Sequence, residues 1–264
     1  MRLVSLACSN TEIVAALGRA DLLVGVDDHS DYPAEVVGPL PRVGPDLEVD
    51  IEKVVALEPD LVLASLTVPG HEVVVDGLRE AGLPFIAPRP ESLADVYGDI
   101  LRIGGLLDAE REAAVLVGDM QGALEGGPPM GDPPSVLVQW WPKPVIAPGA
   151  KSWVTDLLCA VGGRNVLEDD DCKSRPLTDD EVRELAPDAI VISWCGVAPE
   201  RYRPDVVLEK NVWQDLEAVA RRRVYCVPEA YLGRPGPRLV EGAQALRRIV
   251  AGLSDPARRP PGSR

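Results

Sequence analysis

The chain has 264 residues, 46% of them hydrophobic, which is enough to bury one large core or two smaller ones. A formal net charge of −15 argues against a nucleic-acid-binding protein, because such a protein needs a basic surface to neutralise phosphates. No apolar run reaches the roughly 20 residues of a membrane-spanning helix, so the sequence does not indicate an integral membrane protein. The acidic surface also favours a monomer.

Strand and helix signals alternate along the first 90 residues, which is typical of a parallel sheet covered by helices. The first helix contains Ser9 and, three residues later, Glu12, the pattern of a capping box. These residues are predicted to form an N-terminal α/β lobe, 1–90. Its predicted strands are 2–7, 23–27, 61–65 and 84–87, and its predicted helices are 9–17, 51–57 and 72–81.

Residues 91–127 interrupt this alternation and are predicted to link two lobes. Apolar residues at helical spacing predict one helix before Gly104-Gly105 and a second over 108–125, about 27 Å long at ~1.5 Å per residue. A Gly- and Pro-rich linker from Gly126 to Pro134 follows it. The alternation then resumes in a predicted C-terminal α/β lobe, 128–253, and the tail 254–264 is predicted to be disordered. The lobe's predicted strands are 136–140, 189–193 and 224–227, and its predicted helices are 153–161, 180–185 and 239–253.

One phrase occurs twice in the chain, as ALEPDLVLAS from Ala56 and LAPDAIVIS from Leu185. Both predict a short helix that ends at Pro-Asp and is followed by an apolar strand. A carboxylate lies seven residues before each proline, Glu52 in the first copy and Asp180 in the second. The shared order indicates two homologous α/β lobes.

Catalysis and direct metal binding have few candidates in this sequence, which contains two histidines and no Walker loop. Cys8 follows the first predicted strand and Asp27-Asp28-His29 follows the second, so both lie at the carboxyl edge where parallel sheets bind ligands. The simpler interpretation is a small apolar cysteine beside a polar loop. The acidic run Asp169-Asp170-Asp171-Cys172 is more typical of a solvated loop than of a metal site. The five cysteines share no metal-like spacing, and we expect buried thiols rather than disulfides.

Aromatic residues are few, five Trp, five Tyr and one Phe, yet several follow predicted strands. Any one of them is adequately explained as a cap on the core. Several at the carboxyl ends of strands predict instead a stacking surface in a cleft between the lobes, near the cationic residues Lys143, Arg234 and Arg238. The aromatic residues concerned are Tyr32, Trp140, Trp141, Trp194 and Tyr231.

The first lobe contains the segments SLACSNTEIVAALG, VGVDDHSDYP, LPRVG and DIEKVVALEPDLVLAS, and the second contains GGRNV, LTDDEVRELAPDAIVIS and PGPR. Over residues 2–253 the chain closely resembles the helical-backbone (class III) substrate-binding proteins of ABC importers for cobalamin, ferric siderophores and haem. The NTE phrase, the SDYP loop and the overall size are most similar to the cobalamin-binding members. The resemblance implies an α/β fold of two Rossmann-like parallel-sheet lobes joined by a single long backbone helix, with the ligand in the cleft between them.

It also implies a corrinoid or a ferric chelate as ligand, with cobalamin, haem or a ferric siderophore as candidates and no intrinsic cofactor. Cobalamin-binding members have aromatic residues at the places of His29, Asp46, Ser65 and Ser174, so part of their stacking set is missing here. His29 is a candidate ligand to cobalt or iron, and a polar rim residue is the simpler alternative. The residues predicted to bind the ligand are Cys8, Ser9, Asn10, His29, Tyr32, Trp140, Trp141, Trp194, Tyr231 and Arg234.

An acidic residue on each lobe of these proteins docks on arginines of a dimeric permease, and the matching positions here are Glu52 and Asp180, with Glu181 as a neighbour. The alternative for each is an ordinary solvated charge near a helix N-terminus. The sequence begins directly in a predicted strand without a visible leader. A cytoplasmic corrinoid- or tetrapyrrole-binding handover protein therefore stays open beside a periplasmic or cell-surface one, and an enzyme using Cys8 or His29 is a third hypothesis.

Overall fold

The computed structural model describes residues 1–125 and 132–254, in which the chain forms two compact units. The predicted tail 254–264, apart from Ser254, and most of the predicted linker, 126–131, lie outside the described residues. Unit 1 consists of Met1–Pro90, Ala94–Met120 and Pro235–Pro237, and unit 2 consists of Glu91–Leu93, Gln121–Arg234 and the residues from Arg238 onward.

Unit 1 is built on a four-stranded parallel sheet, sheet A, in the order β2-β1-β3-β4. Strands β1 and β3 are fully buried, as expected for apolar runs covered on both faces. The strands are β1 Leu3–Ser5, β2 Leu23–Val26, β3 Leu61–Leu63 and β4 Phe85–Ile86. The helices are α1 Cys8–Ala16, α2 Ala34–Val37, α3 Ile51–Ala56 and α4 His71–Glu80, with a 3-10 turn at Ala20–Leu22.

The predicted capping box at the start of α1 is wrong. The helix begins at Cys8 with Ala7 as its N-cap, and no side chain caps it. Ser9 and Glu12 lie inside the helix and are both buried. The helix starts early because the turn after β1 leads directly into it.

Two helices follow unit 1's sheet, α5 Leu93–Leu106 and α6 Glu110–Leu124, and α6 runs across the boundary between the units. The predicted break at Gly104-Gly105 is wrong, because α5 continues through both glycines. Gly104 is needed for packing, since a Cβ there would lie 2.4 Å from the Cβ of Ala113. The break comes instead at Asp108, whose φ of 51° is left-handed. Helix α6 therefore has 15 residues and is about 22 Å long.

Unit 2 contains a second four-stranded parallel sheet, sheet B, in the order β11-β10-β5-β8. The strands of unit 2 are β5 Ser135–Gln139, β6 Trp141–Pro142, β7 Val145–Pro148, β8 Arg164–Asn165, β9 Ser174–Leu177, β10 Ala189–Ile192 and β11 Val224–Cys226. The helices are α7 Trp153–Ala160, α8 Asp179–Leu185, α9 Asp205–Leu208, α10 Glu217–Ala220, α11 Glu229–Leu232 and α12 Leu239–Ser254, with 3-10 turns at Pro199–Arg201 and Asn211–Trp213. The two parallel sheets confirm the predicted fold class of two α/β lobes.

A three-stranded antiparallel sheet in the order β6-β7-β9 also belongs to unit 2 and was not predicted. Strand β5 ends at Gln139, and Trp141 lies in β6 rather than at the end of β5. The interpretation of Trp141 as a residue that closes the preceding parallel strand is therefore wrong. Each of the three strands contains a proline, which makes them hard to recognise from sequence.

The repeated phrase has the same backbone in both units. Glu58 and Ala186, the residues before the two prolines, are both left-handed, with φ of 45° and 42°. The aspartate after each proline holds the start of the neighbouring strand: Asp60 accepts from the Arg2 amide at 2.6 Å. Asp188 accepts from the Ser135 amide at 2.7 Å. The Pro-Asp pair thus ends a helix and fixes the register of a parallel strand in each unit.

The five cysteines are free thiols rather than disulfides, as expected, but the expectation that they are buried is wrong. Cys159, Cys195 and Cys226 are exposed, whereas Cys8 and Cys172 are partly exposed, and none is in a disulfide. Among the described residues, no helix combines the length and apolar character needed to cross a membrane.

Candidate functional site

A buried polar network lies at the carboxyl edge of sheet A. The Thr11 hydroxyl donates to Ser5 Oγ at 2.8 Å and lies 2.8 Å from Ser30 Oγ. The Ser30 hydroxyl donates to Asp27 Oδ1 at 2.5 Å, and Asp27 Oδ2 accepts from the His29 amide at 3.0 Å. This network ties the loop after β2 to helix α1 and so places His29 at the edge of the sheet.

Asp27 is fully buried, and burial raises the pKa of its carboxyl against the opposing effect of the bonds from Ser30 and His29. The Arg42 guanidinium stabilises the same loop by donating to the carbonyls of Asp27 and Ser30 at 2.8 and 2.6 Å. Cys8 Sγ lies 4.0 Å from Asp27 Oδ2, so the predicted proximity of Cys8 to this loop is confirmed. Because the Asp27 carboxylate accepts hydrogen bonds that hold its own loop, Asp27 has a structural role.

His29 lies beside a second, more exposed cluster. Asp46, from the loop before α3, places one carboxylate oxygen 3.5 Å from His29 Nε2 and the other 3.3 Å from His71 Nε2. The bond from His71 is the main cause that lowers the pKa of Asp46. Sequence reasoning did not predict Asp46 or His71 as partners of His29. In residues 1–125 and 132–254 no three His, Cys, Asp or Glu side chains are arranged to hold a bare metal ion.

The other predicted residues of unit 1 differ in availability. Ser9 and Asn10 are buried, and the Asn10 amide donates to the Ala64 carbonyl at 2.7 Å, which fastens α1 to β3. Tyr32 is 47% exposed in the loop that follows β2.

The carboxyl edge of sheet B is aromatic instead. Trp194 follows β10, is buried, and donates from Nε1 to Gln139 Oε1 at 2.9 Å. Its ring packs edge-on against Tyr202, with centroids 5.8 Å apart. The Tyr202 hydroxyl accepts from the Glu229 amide at 2.9 Å, which connects the ends of β10 and β11. Trp194 is therefore part of the support of this edge.

Trp140 and Trp141 are more accessible. The Trp140 ring lies 6.3 Å from that of Trp153, whose Nε1 donates to the Leu232 carbonyl at 2.7 Å. Trp140 Nε1 has no hydrogen-bond partner within the described part of the chain. Trp141 is 43% exposed.

The predicted cationic contacts of unit 2 engage residues of the chain itself. Arg234 pairs with Glu229, with 3.3 Å between Nε and Oε2. The Arg238 guanidinium lies over the Tyr231 ring, 5.7 Å from its centroid. Lys143 is exposed.

Helices α3 and α8 place Glu52 and Asp180 equivalently, because each is the second residue after an N-cap, Asp50 in α3 and Thr178 in α8. Glu52 is exposed, and the Asp180 side chain is 87% exposed. Glu181 differs: it completes a capping box with Thr178 and pairs with Arg175 at 2.7 Å. These bonds lower the pKa of Glu181, with the bond from the Thr178 amide first among the causes.

The sequence model of the periplasmic binding proteins matches residues 3–231. This chain belongs to the periplasmic binding protein family. It is 32% identical over 258 residues to an uncharacterized ABC transporter substrate-binding lipoprotein of Bacillus subtilis, covering 94% of this chain and 79% of that protein. It is 25% identical over 245 residues to the vitamin B12-binding protein of Vibrio parahaemolyticus, covering 90% and 84%. The periplasmic heme-binding protein of Roseiflexus sp. RS-1 is 25% identical, with a TM-score of 0.79 over 96% of this chain and 99% of that one.

As a periplasmic binding protein, the chain is a substrate-binding protein, and it has two α/β lobes, as the resemblance implied. Three residues that were not predicted as site residues contact residues that were. Gln139 and Tyr202 hold Trp194, and Asp46 contacts His29. Gln139 could have been recognised from the sequence. It is the one polar residue at the end of an apolar strand, and a buried polar side chain there needs a hydrogen-bond partner.

Proposed function

We propose that this periplasmic binding protein binds a corrinoid or a ferric chelate and delivers it to an ABC import permease. The observation that carries the proposal is the aromatic edge of sheet B, where Trp140 and Trp141 follow β5. Large flat ligands stack on such rings, and an exposed Trp141 keeps one available.

The named ligands of two relatives support the same class, because vitamin B12 and heme are both metal-containing tetrapyrroles. We infer binding without catalysis. Cys8 contacts Asp27 rather than a histidine, and Asp27 is already bonded to the His29 amide and Ser30. Asp27 is therefore engaged in holding the loop after β2, and a base for a nucleophile needs a free acceptor within hydrogen-bond reach.

We infer that the partner is a permease dimer that binds one carboxylate on each unit, Glu52 on unit 1 and Asp180 on unit 2. Their support is positional, since both occupy the same site of a repeated helix. A two-fold partner can recognise two such equivalent charges. Glu181 is a weaker candidate than Asp180 because its carboxylate is held by Thr178 and Arg175.

The test is a titration of the protein with aquocobalamin, ferric haem and ferrichrome, followed by tryptophan fluorescence and checked by calorimetry. We expect saturable binding of at least one compound, with a smaller amplitude of quenching in Trp141→Phe. Trp213→Phe is the matched control, because Trp213 is 1% exposed in the core of unit 2. The proposal would be contradicted if none of the three compounds showed saturable binding.

A further inference from the structure

An open groove of unit 1, with a volume of about 410 Å³, lies between helices α3 and α4 and the loop that precedes α3. Val73 is the most exposed large hydrophobic side chain of the described residues, at 72%, and Leu47 is 44% exposed. Helix α4 comes close to α3 at Gly77, where a Cβ would lie 3.0 Å from Ile51 Cγ1. None of the predicted ligand-binding residues lines the groove. The lining residues are Leu47, Glu48, Val49, Ile51, Val73, Val74, Asp76, Gly77 and Glu80.

The lining combines aliphatic side chains with three carboxylates. Asp76 pairs with Arg79 of its own helix. Glu48 and Glu80 are exposed, and neither has a cationic partner within the described part of the chain. Aliphatic side chains next to two uncompensated carboxylates favour an occupant that is both apolar and cationic.

The repeated scaffold shows what such a groove can hold. Helix α3 precedes β3 and α4 follows it, just as α8 precedes β10 and the helical turns of 199–220 follow it. Helix α4 packs on α3 in unit 1, and the 3-10 turn Asn211–Trp213 packs on α8 in unit 2. The contact between α8 and this turn therefore corresponds to the contact between α3 and α4.

In unit 2 this contact is filled by a tryptophan and a lysine. Trp213 is 1% exposed and belongs to the core of unit 2. Lys210 Nζ lies 4.0 Å from the centroid of the Trp213 ring and pairs with Asp179. Asp179 is the first residue of α8, the place that Ile51 has in α3. The groove of unit 1 has neither a lysine nor an aromatic residue in its lining, so this pair of side chains has no counterpart there.

We propose that the groove of unit 1 binds a segment of the permease in which an aromatic or aliphatic side chain lies beside a lysine or an arginine. The apolar side chain packs on Val73 and Leu47, and the cation pairs with Glu48 or Glu80. The segment thus supplies to unit 1 what Lys210 and Trp213 supply to unit 2.

The permease is a better occupant than a second copy of the chain. Two copies that each carry a net charge of −15 repel each other, whereas a cationic segment is attracted to the groove. The groove also adjoins the candidate docking carboxylate, because Ile51 lines it and Glu52 is the next residue of α3. The inference rests on the proposed function and adds an apolar contact to the docking surface of unit 1.

The first measurement is photocrosslinking of the full chain in its own cells, with p-benzoylphenylalanine in place of Val73. The matched control has it in place of Val115, a valine of α6 that is 57% exposed. We expect only the first protein to crosslink to the transmembrane subunit of an ABC permease, at a peptide with an apolar residue beside Lys or Arg. A crosslink to a permease peptide without this pair, to a second copy, to residues 255–264 of the chain, or to no protein above the control overturns the proposal.

The second measurement is the binding of variants to that permease in nanodiscs by biolayer interferometry. Val73→Ser should weaken binding about tenfold, because an apolar contact of the interface is lost. Val115→Ser should bind like the wild type. The double variant Glu48→Gln/Glu80→Gln should associate about threefold more slowly and with a smaller dependence on salt, because the attraction for the cation is lost. Circular dichroism checks that each variant is folded.

The groove and the proposed function fail by different results. Equal binding of wild type and Val73→Ser to the permease overturns the groove as a docking site and leaves the proposed function standing. Unchanged association and salt dependence in the double variant overturn the cationic character of the partner. Val73→Ser should bind aquocobalamin, ferric haem and ferrichrome as the wild type does, and a changed affinity would contradict a role in docking. If the wild type binds none of the three compounds, the proposed ligand class falls, whereas the crosslink from position 73 still decides what the groove binds.

Discussion

The two units share their architecture and differ in the chemistry at the carboxyl edges of their sheets. At the edge of sheet A, hydroxyls, carboxylates and two imidazoles form bonded chains around Asp27 and Asp46. At the edge of sheet B, indole rings and a phenol dominate, with Trp194 bonded to Gln139 and packed on Tyr202. The scaffold is repeated, whereas the side chains that follow each strand are not.

This difference shows which positions the fold constrains. The Pro-Asp phrase fixes a strand start in both units, through Asp60 and Asp188, and its sequence is preserved in both copies. The residues that follow the strands have no structural role that is shared by the two units, so their side chains can differ between sheet A and sheet B. The carboxyl edge of sheet A is therefore polar, and that of sheet B is aromatic.

The largest effect on stability is expected at the aromatic edge. Trp194→Ala should lower the free energy of unfolding by about 3–5 kcal/mol, because it removes a buried indole and leaves Gln139 without its donor. Urea denaturation monitored by circular dichroism measures the change. Trp141→Ala is the control, because Trp141 is 43% exposed and its loss should cost less than about 1 kcal/mol. Equal losses would mean that Trp194 does not support the edge.

At the polar edge, Asp27→Ala should lower the free energy of unfolding by about 1–3 kcal/mol at acidic pH, because the buried Ser30 hydroxyl loses its acceptor. The pKa of Asp27 is raised by burial, so its contribution is complete below the unfolded value and declines as pH rises through the folded value. The difference between wild type and variant should therefore shrink toward neutral pH.

Asp28→Ala is the control for this pH dependence, because Asp28 is the exposed neighbour in the same loop. A difference between wild type and Asp27→Ala that grows with pH would contradict the assignment, since it would mean that the ionised carboxylate is stabilised in the folded state.

Much of the repeated scaffold was predictable, because parallel strands and the Pro-Asp phrase leave clear patterns in a single sequence. The proximity of Cys8 to the loop of Asp27 and His29 followed from strand adjacency alone. Asp46 and His71 could not be predicted as partners, since each lies in or beside a loop without periodicity and they meet only through tertiary structure. The antiparallel strands β6, β7 and β9 were missed because their prolines argue against a strand.

A smaller effect is expected where the two units are most alike. Asp188→Ala should lower the free energy of unfolding by about 1–2 kcal/mol, because Asp188 accepts from both the amide and the hydroxyl of Ser135. Asp60→Ala should cost less, about 0.5–1 kcal/mol, because the Asp60 side chain is 60% exposed and accepts from the Arg2 amide. Chemical denaturation of both variants gives the comparison. A larger loss in Asp60→Ala than in Asp188→Ala would contradict the expectation that the two bonds accepted by Asp188 contribute more than the one accepted by Asp60.

The smallest effect on stability is expected at the two equivalent carboxylates. Glu52→Ala and Asp180→Ala should change the free energy of unfolding by no more than about 0.5 kcal/mol, because exposed single charges contribute little. Uptake of aquocobalamin or ferric haem through the permease should nevertheless fall, most in the double variant, while the affinity of the isolated protein stays unchanged.

Glu181→Ala separates docking from folding. It should lower the stability measurably, because Glu181 closes the capping box of α8, yet it should leave uptake intact at equal amounts of folded protein. If Glu181→Ala reduced uptake as much as Asp180→Ala, the equivalence of the second helical position in α3 and α8 would not identify the docking residues. If only Asp180→Ala reduced uptake, the permease would recognise a carboxylate on unit 2 but not on unit 1. The repeated phrase would then have a role in folding and none in docking.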